Sequence, residues 1–346
     1  MTRLAEAALY VARSCGLFAL ARSLTADRLR ILCYHGVALD DEFDFQPMLF
    51  MRAATFADRL DRLLRTGHLV LPLGEALDRL RQGTLPRAAV VITIDDGWFG
   101  TLREMAPALA RRGLPATLYL ATYYVEKQTQ VFNVAAAYAL WRSKSKTLDL
   151  SDVDPGLEGR FDLSDPARRS LALDALRSWA DGLDSANERQ ALLERLYGVL
   201  GLDLERVRRQ RMFTFMSSGE AATLPSQGME LQLHTHRHRF PGRDPTALAD
   251  EIESNRASLS RVATGPFRHL CYPSGEYDRG AFPQLAALGI VSATTTLPGM
   301  NDSGTPPLEL RRFLDSETCS TIRFEAEVSG FLELVRGALG RNRVAR

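Results

Sequence analysis

The apolar positions of this chain follow two alternating periods. Residues 90–94 form a run of apolar and β-branched side chains, the pattern of a strand buried on both faces. Shorter runs of the same kind lie at 31–34, 68–71, 116–121, 229–233, 269–272, 290–296 and 311–315. Between them the spacing becomes helical. Behind Thr55, read as a helix N-cap, Phe56, Leu60, Leu63 and Leu64 line one face up to Gly67. Residues 75–81 and 101–112 repeat that spacing, and the second segment stops at Gly113. Asp244 and Pro245 make a cap and first-turn pair for a helix with Leu248, Ile252, Leu259 and Val262 on one face. Further helices are expected over 282–288 and 324–339. Strand and helix in alternation predict a parallel sheet with crossover helices.

The alternation breaks between 123 and 227. That stretch is helix-forming and strongly charged, with periodic segments at 165–183 and 186–200, a basic run at 206–211, and no strand pattern. It reads as an inserted helical subdomain lying over the strand ends. The chain then divides into an N-terminal helix (1–29), a main α/β domain (30–122 and 226–320), the helical insertion (123–225) and a C-terminal helix (321–346).

Composition narrows the classes. A chain of 346 residues can bury a large core, and 45% apolar with 25% charged residues is ordinary for a soluble globular protein. A net charge of +1 leaves no basic footprint, so no nucleic-acid partner is expected. Cys15, Cys33, Cys271 and Cys319 lie far apart, which argues against a disulfide scaffold and a thiolate zinc site and favours a reducing compartment. Residues 4–24 are rich in Ala and Leu, but Glu6, Arg13 and Arg22 interrupt any run of membrane-spanning length. A helix lying on the domain or peripherally on a membrane surface fits, with Arg3, Arg13 and Arg22 on its wetter side; a plain packed helix fits as well. Residues 14–21, with Ala19 and Ala21, make only a weak signal-peptide core. The expected location is the cytoplasmic side, at the inner face of the membrane, with the periplasm as second choice.

Four polar clusters follow directly after expected strands: His35; Asp95 with Asp96; His234, Thr235, His236, Arg237 and His238; and Tyr272, Pro273, Ser274 and Gly275. In a parallel barrel the C-terminal strand ends share one face, where these clusters would meet. Two buried neighbouring carboxylates need a cation or donors beside them, although Asp96 or Gly97 could instead cap the next helix. Two histidines four apart plus a carboxylate from another strand form a first-row metal site with open positions, as in hydrolytic zinc enzymes and non-haem iron oxygenases. The other carboxylate is then free to act as a base toward a water that the metal activates.

Thr93, Ile94, Asp95, Asp96 and Gly97 resemble the first motif of the polysaccharide deacetylases, carbohydrate esterase family four, usually Thr-Phe-Asp-Asp-Gly. The five residues from His234 to His238 match the second motif: His, then Ser or Thr, two free positions, then His. Pro273, Ser274 and Gly275 line up with the Pro-x-Gly of the third. Tyr34, His35, Gly36 and Val37, and Gly228, Met229 and Glu230, also look like bacterial members. The resemblance covers 31–315 apart from the insertion. It implies an α/β fold, a distorted (β/α)7 barrel with a helical insertion beside its active face. It further implies Asp95 as general base, Asp96, His234 and His238 as metal ligands, and Thr235 as a support of the histidine loop. The backbone N–H of Ser274 would help the metal hold the oxyanion. The implied metal is divalent, zinc first, with cobalt, nickel or iron as alternatives. His236 falls outside the ligand set, as a solvated or supporting residue.

Two features depart from the family pattern. Its third-motif arginine, which orients the base, is missing, since His269 and Cys271 stand at the aligned places and Arg268 is out of register. The late Leu-x-His motif is absent, because no histidine follows His269. His35 is the candidate for the missing general acid. Arg312 reads as a surface ion-pairing residue, with replacement of the missing guanidinium as the alternative. The expected function is metal-dependent removal of an N-acetyl or other N-acyl group from a sugar of a polysaccharide or lipid-linked precursor. A non-catalytic carbohydrate-binding or assembly protein with a vestigial barrel is the alternative; an iron oxygenase would have no use for Asp95 beside Asp96.

Overall fold

The computed structural model describes residues 3–339. The ends of the expected segments 1–29 and 321–346, and the side chain of Arg3, lie outside the described residues. Seven parallel strands form the central sheet: β1 (Arg30–Tyr34), β2 (Val90–Asp96), β3 (Ala116–Leu120), β4 (Met229–Leu233), β5 (His269–Cys271), β6 (Ser292–Thr294) and β7 (Phe313–Leu314). Their order across the sheet is β6-β5-β4-β3-β2-β1-β7. Every residue of β1, β2 and β3 is buried, as an all-parallel sheet covered on both faces requires. The segment carrying β7 meets both outer strands, Leu310 opposite Thr294 of β6 and Phe313 opposite Leu32 of β1. That bridging curls the sheet into a distorted seven-stranded barrel, the expected fold class.

Side-chain alternation assigns the two faces of the wall. Ile31, Val91, Tyr119 and Cys271 share one cluster with Leu73, Ala76, Leu77 and Leu80 of the helix Leu73–Gln82, which plugs the barrel interior. Leu32, Ile92, Ile94 and Leu118 face the larger outer core with the crossover helices. Asp95, two residues on from Thr93, therefore points inward from the C-terminal end of β2.

Several elements differ from expectation. The run 68–71 makes only one bridge, Val70 to Val90, because the chain is already turning into the next helix. Thr55 lies inside its helix, Ala53–Arg65, whose cap position is Arg52. The N-terminal segment is two helices, α1 (Arg3–Ser14) and α2 (Leu17–Leu24), bent by 77° where Gly16 takes a left-handed φ of 76°. The C-terminal helix is likewise split into Thr321–Val328 and Phe331–Ala338 by Gly330, at φ 85°. Between 123 and 225 two expected helices stand as read: Pro166–Asp181, capped by Asp165, and Ala186–Val199, with a Ser185–Glu188 capping box. This stretch also holds an antiparallel hairpin, Thr147–Asp149 with Arg160–Asp162, too short to leave a periodic signal.

Candidate active site

β2 delivers Asp95 and Asp96 side by side, and a left-handed φ of 74° at Asp96 turns the two carboxylates to different partners. Thr235, His238 and Ser274 also have positive φ, so four of the eight such non-glycine residues described stand on this one face. Backbone strain of about 1–3 kcal/mol per residue persists only where the surroundings impose it.

Asp96 Oδ1 lies 3.2 Å from His234 Nε2 and 3.3 Å from His238 Nε2, and its Oδ2 accepts from Trp98 Nε1 at 2.7 Å. His234 Nδ1 is 2.9 Å from the Cys271 carbonyl, which can only accept, so Nδ1 carries a proton and Nε2 is the nitrogen that faces Asp96. Donor atoms about 2.1 Å from a tetrahedral zinc ion stand about 3.4 Å from one another, so this spacing fits a cation held by Asp96, His234 and His238. Asp96 and His234 are buried, whereas the His238 side chain is 34% exposed. The open side faces solvent, where a water or substrate would enter. Burial opposes charge on Asp96, but hydrogen bonds from His234 and His238 outweigh it and hold the carboxyl well below its usual range.

Asp95 is gripped from the other side. Arg312 donates Nη1 to Oδ1 at 2.7 Å and Nη2 to Oδ2 at 2.8 Å. Its remaining donors reach the Thr295 carbonyl (Nε, 2.9 Å), Thr93 Oγ1 (Nη1, 3.2 Å) and Cys271 Sγ (Nη2, 3.1 Å). All five guanidinium N–H groups are thus engaged. Burial opposes the ionisation of Asp95, yet Arg312 overrides it and keeps the carboxyl far below the usual carboxylate range. Arg312 is therefore no surface residue. It is buried at 1% exposure, because β7 closes the barrel against β1 and brings residue 312 to Asp95.

The other expected site residues are placed as follows. His35 Nε2 is 3.8 Å from Asp95 Oδ2, on a partly exposed side chain. Thr235 Oγ1 accepts from Arg239 N at 3.1 Å and so closes the histidine loop. His236 stays out of the cluster, with Nδ1 2.9 Å from Thr122 Oγ1. Ser274 sits exposed in the turn after β5, at φ 57°, with no described hydrogen bond to the Asp–His cluster.

Four residues at the site had no sequence motif to announce them. Cys33 and Cys271 point their thiols at Asp95 Oδ2, at 3.5 and 3.3 Å. Asn255, fully buried, accepts from the His234 amide at 2.9 Å and donates to the Leu120 carbonyl and Thr122 Oγ1, tying the end of β4 to that of β3 beside His234. Trp98 is held by the returning end of the 123–225 stretch. Phe99 N donates to the Thr214 carbonyl, Met216 N donates to that of Gly97, and Phe215 packs on the indole at 4.8 Å. Trp98 had a local signal, lying two positions after Asp96, and Cys271 stood at a place aligned with the third-motif arginine.

Residues 210–293 match the family model described as polysaccharide deacetylase. Three solved structures have the same fold. Deacetylase PplD of Streptococcus pyogenes, in complex with acetate, superposes with a TM-score of 0.56 at 16% identity, over 89% of this chain and 98% of that one. IcaB from Ammonifex degensii gives 0.54 at 18% identity, over 88% and 97%. A de-N-acetylase from Aggregatibacter actinomycetemcomitans gives 0.53 at 13%, over 87% and 99%. At these identities the likeness speaks for the fold. No curated protein sequence matches the chain.

Proposed function

We propose, from the family signature over residues 210–293 and the shared fold, that the chain acts as a polysaccharide deacetylase, hydrolysing an N-acetyl or other N-acyl group of a sugar in a polysaccharide or lipid-linked glycan with a divalent metal. The observation that carries this is the pairing of two differently held carboxylates: Asp96 against two histidines, and Asp95 beside it against a buried arginine. Asp96, His234 and His238 would hold the cation, which when bound would supply Lewis-acid polarisation of the acyl carbonyl and of a water beside it. Asp95 takes the proton of the attacking water. Arg312 holds both its oxygens, so its orientation is set before substrate arrives. The Ser274 amide donates to the developing oxyanion. His35, on the solvent side of Asp95, gives the proton that lets the amine leave. Zinc suits the two-imidazole, one-carboxylate set, and cobalt, nickel or iron would fit the same donors.

A vestigial, merely carbohydrate-binding barrel is the second reading. It rests on two altered motifs, the third-motif arginine and the late Leu-x-His; Arg312 on Asp95 speaks against the first, and His35 is the candidate that answers the second.

The test is amine release from N-acetylated chito-oligomers, with an acetylated aryl ester alongside, by zinc- or cobalt-loaded protein and by Asp95→Asn. Metal-dependent release that the substitution abolishes supports the hydrolase. Tight metal binding without hydrolysis of either substrate favours the binding protein, and failure to bind metal through Asp96, His234 and His238 overturns the hydrolase.

A further inference from the structure

Arg312 Nη2 lies 2.8 Å from Asp95 Oδ2, and the sulfur of Cys271 closes a triangle with both, at 3.1 Å from Nη2 and 3.3 Å from Oδ2. The partners fix the direction of each contact. A guanidinium N–H can only donate and an ionised carboxylate can only accept, so the sulfur accepts from Nη2 while its own S–H goes to Oδ2. The other acceptor within reach of the thiol, the Tyr272 carbonyl, is farther away at 3.7 Å and carries no net charge. Cys271 is fully buried in one cluster with Tyr119, Val91 and Ile31, surroundings in which polar contacts are stronger than in water. Packing alone does not ask for a polar atom between a carboxylate and a guanidinium.

We propose that Cys271 is a positioning residue that keeps the base and a metal ligand in register with each other, an inference that rests on the roles given above to Asp95 and His234. Its side chain ties Asp95 to Arg312. Its backbone carbonyl accepts from His234 Nδ1 at 2.9 Å, and the other ring nitrogen of His234 lies 3.2 Å from Asp96 Oδ1. One residue of β5 thus meets both halves of the site. β5 and β2 are not neighbours in the sheet, since β4 and β3 lie between them, so the contact of Cys271 with Asp95 crosses the barrel interior and no strand ladder supplies it. Without the sulfur, one Nη2 hydrogen of Arg312 loses its acceptor in a buried place. The guanidinium is then free to turn away from the geometry that holds both oxygens of Asp95, and the preset orientation of the base goes with it. The Cys33 thiol, 3.5 Å from the same Oδ2, comes from β1 and has no described hydrogen bond to Arg312, so it does not duplicate this link.

Infrared spectroscopy and kinetics test the two sides of this. The S–H stretching band that Cys271→Ala removes should lie at lower wavenumber than the one Cys15→Ala removes, Cys15 being exposed, and should move up in Asp95→Asn, where the charged acceptor is lost. In hydrolysis of an N-acetylated sugar, Cys271→Ala should lower kcat by about three- to tenfold. KM and zinc affinity should stay as they are, because the carbonyl that holds His234 remains. Cys271→Ser, whose hydroxyl both donates and accepts, should recover most of the loss. The proposal is overturned by a Cys271 band that coincides with that of Cys15 or ignores Asp95→Asn, by an unchanged kcat in Cys271→Ala, or by Cys271→Ser turning over no faster than Cys271→Ala. Zinc affinity that falls together with kcat overturns it too, since a merely structural disturbance of β5 would do that. If the wild type hydrolyses no substrate, the proposed function has failed, and the infrared shift alone decides whether the thiol holds Asp95.

Discussion

Arg312 grips both oxygens of Asp95 from 217 residues away, at 2.7 and 2.8 Å, inside a barrel where neither side chain is more than 3% exposed. Breaking such a pair from one side strands a buried charge, at a cost of about 3–5 kcal/mol. Arg312→Leu should therefore lower the melting temperature by about 5 °C, measured calorimetrically. It should also remove most hydrolytic activity, since Asp95 loses its orientation. Arg312→Lys, which cannot bridge both oxygens, should recover stability better than turnover.

The same pair predicts how stability responds to acid. Asp95 is depressed in the folded state, so its contribution is complete at neutral pH and is lost as pH falls from about 4 through the folded value. In Arg312→Leu the main depressing partner is gone, which leaves burial against the weaker pull of His35 and His234 and raises the carboxyl. The stability gap between wild type and variant should be widest near neutrality and narrow below pH about 4. Urea unfolding at both pH values would show it, and a gap independent of pH would contradict the assignment.

Trp98 holds Oδ2 of Asp96 through its indole N–H. Trp98→Phe keeps an aromatic ring against Phe50 and Phe215 but deletes that donor. Loss of such an outer support typically costs 10–100-fold in metal affinity, so about that loss is expected in competition with a zinc-chelating dye. Thermal stability should change by no more than about 1–2 kcal/mol. Unchanged affinity would mean that Asp96 is held by its backbone alone.

Protonation of the leaving group matters for an amide and little for an activated ester. His35→Ala should reduce kcat on an N-acetylated sugar by about 10²-fold or more, while hydrolysis of an acetylated aryl ester falls far less. Equal losses on both substrates would take the acid role away from His35.

The residues and chain order of much of the site were legible in the sequence. An apolar run emptying into Asp95 and Asp96, and another into His234 and His238, already says that these groups stand at strand ends, because a strand's side-chain period and its polar terminus are local properties. Strand register and barrel closure are not local. Arg312 read as a surface residue because its neighbours in sequence are Arg311 and Phe313, and only the pairing of Phe313 with Leu32 puts it beside Asp95. Cys33 and Cys271 were unremarkable as isolated thiols until β1 and β5 aimed both at one carboxylate oxygen. The bends at Gly16 and Gly330, and the clamp of Asn255 on His234, likewise depend on what packs against them. Composition and period determined which residues lie at the strand ends and in what order. Tertiary structure decided which distant side chains complete their charge and hydrogen bonding, because a buried carboxylate is satisfied by whatever the closed barrel brings within about 3 Å.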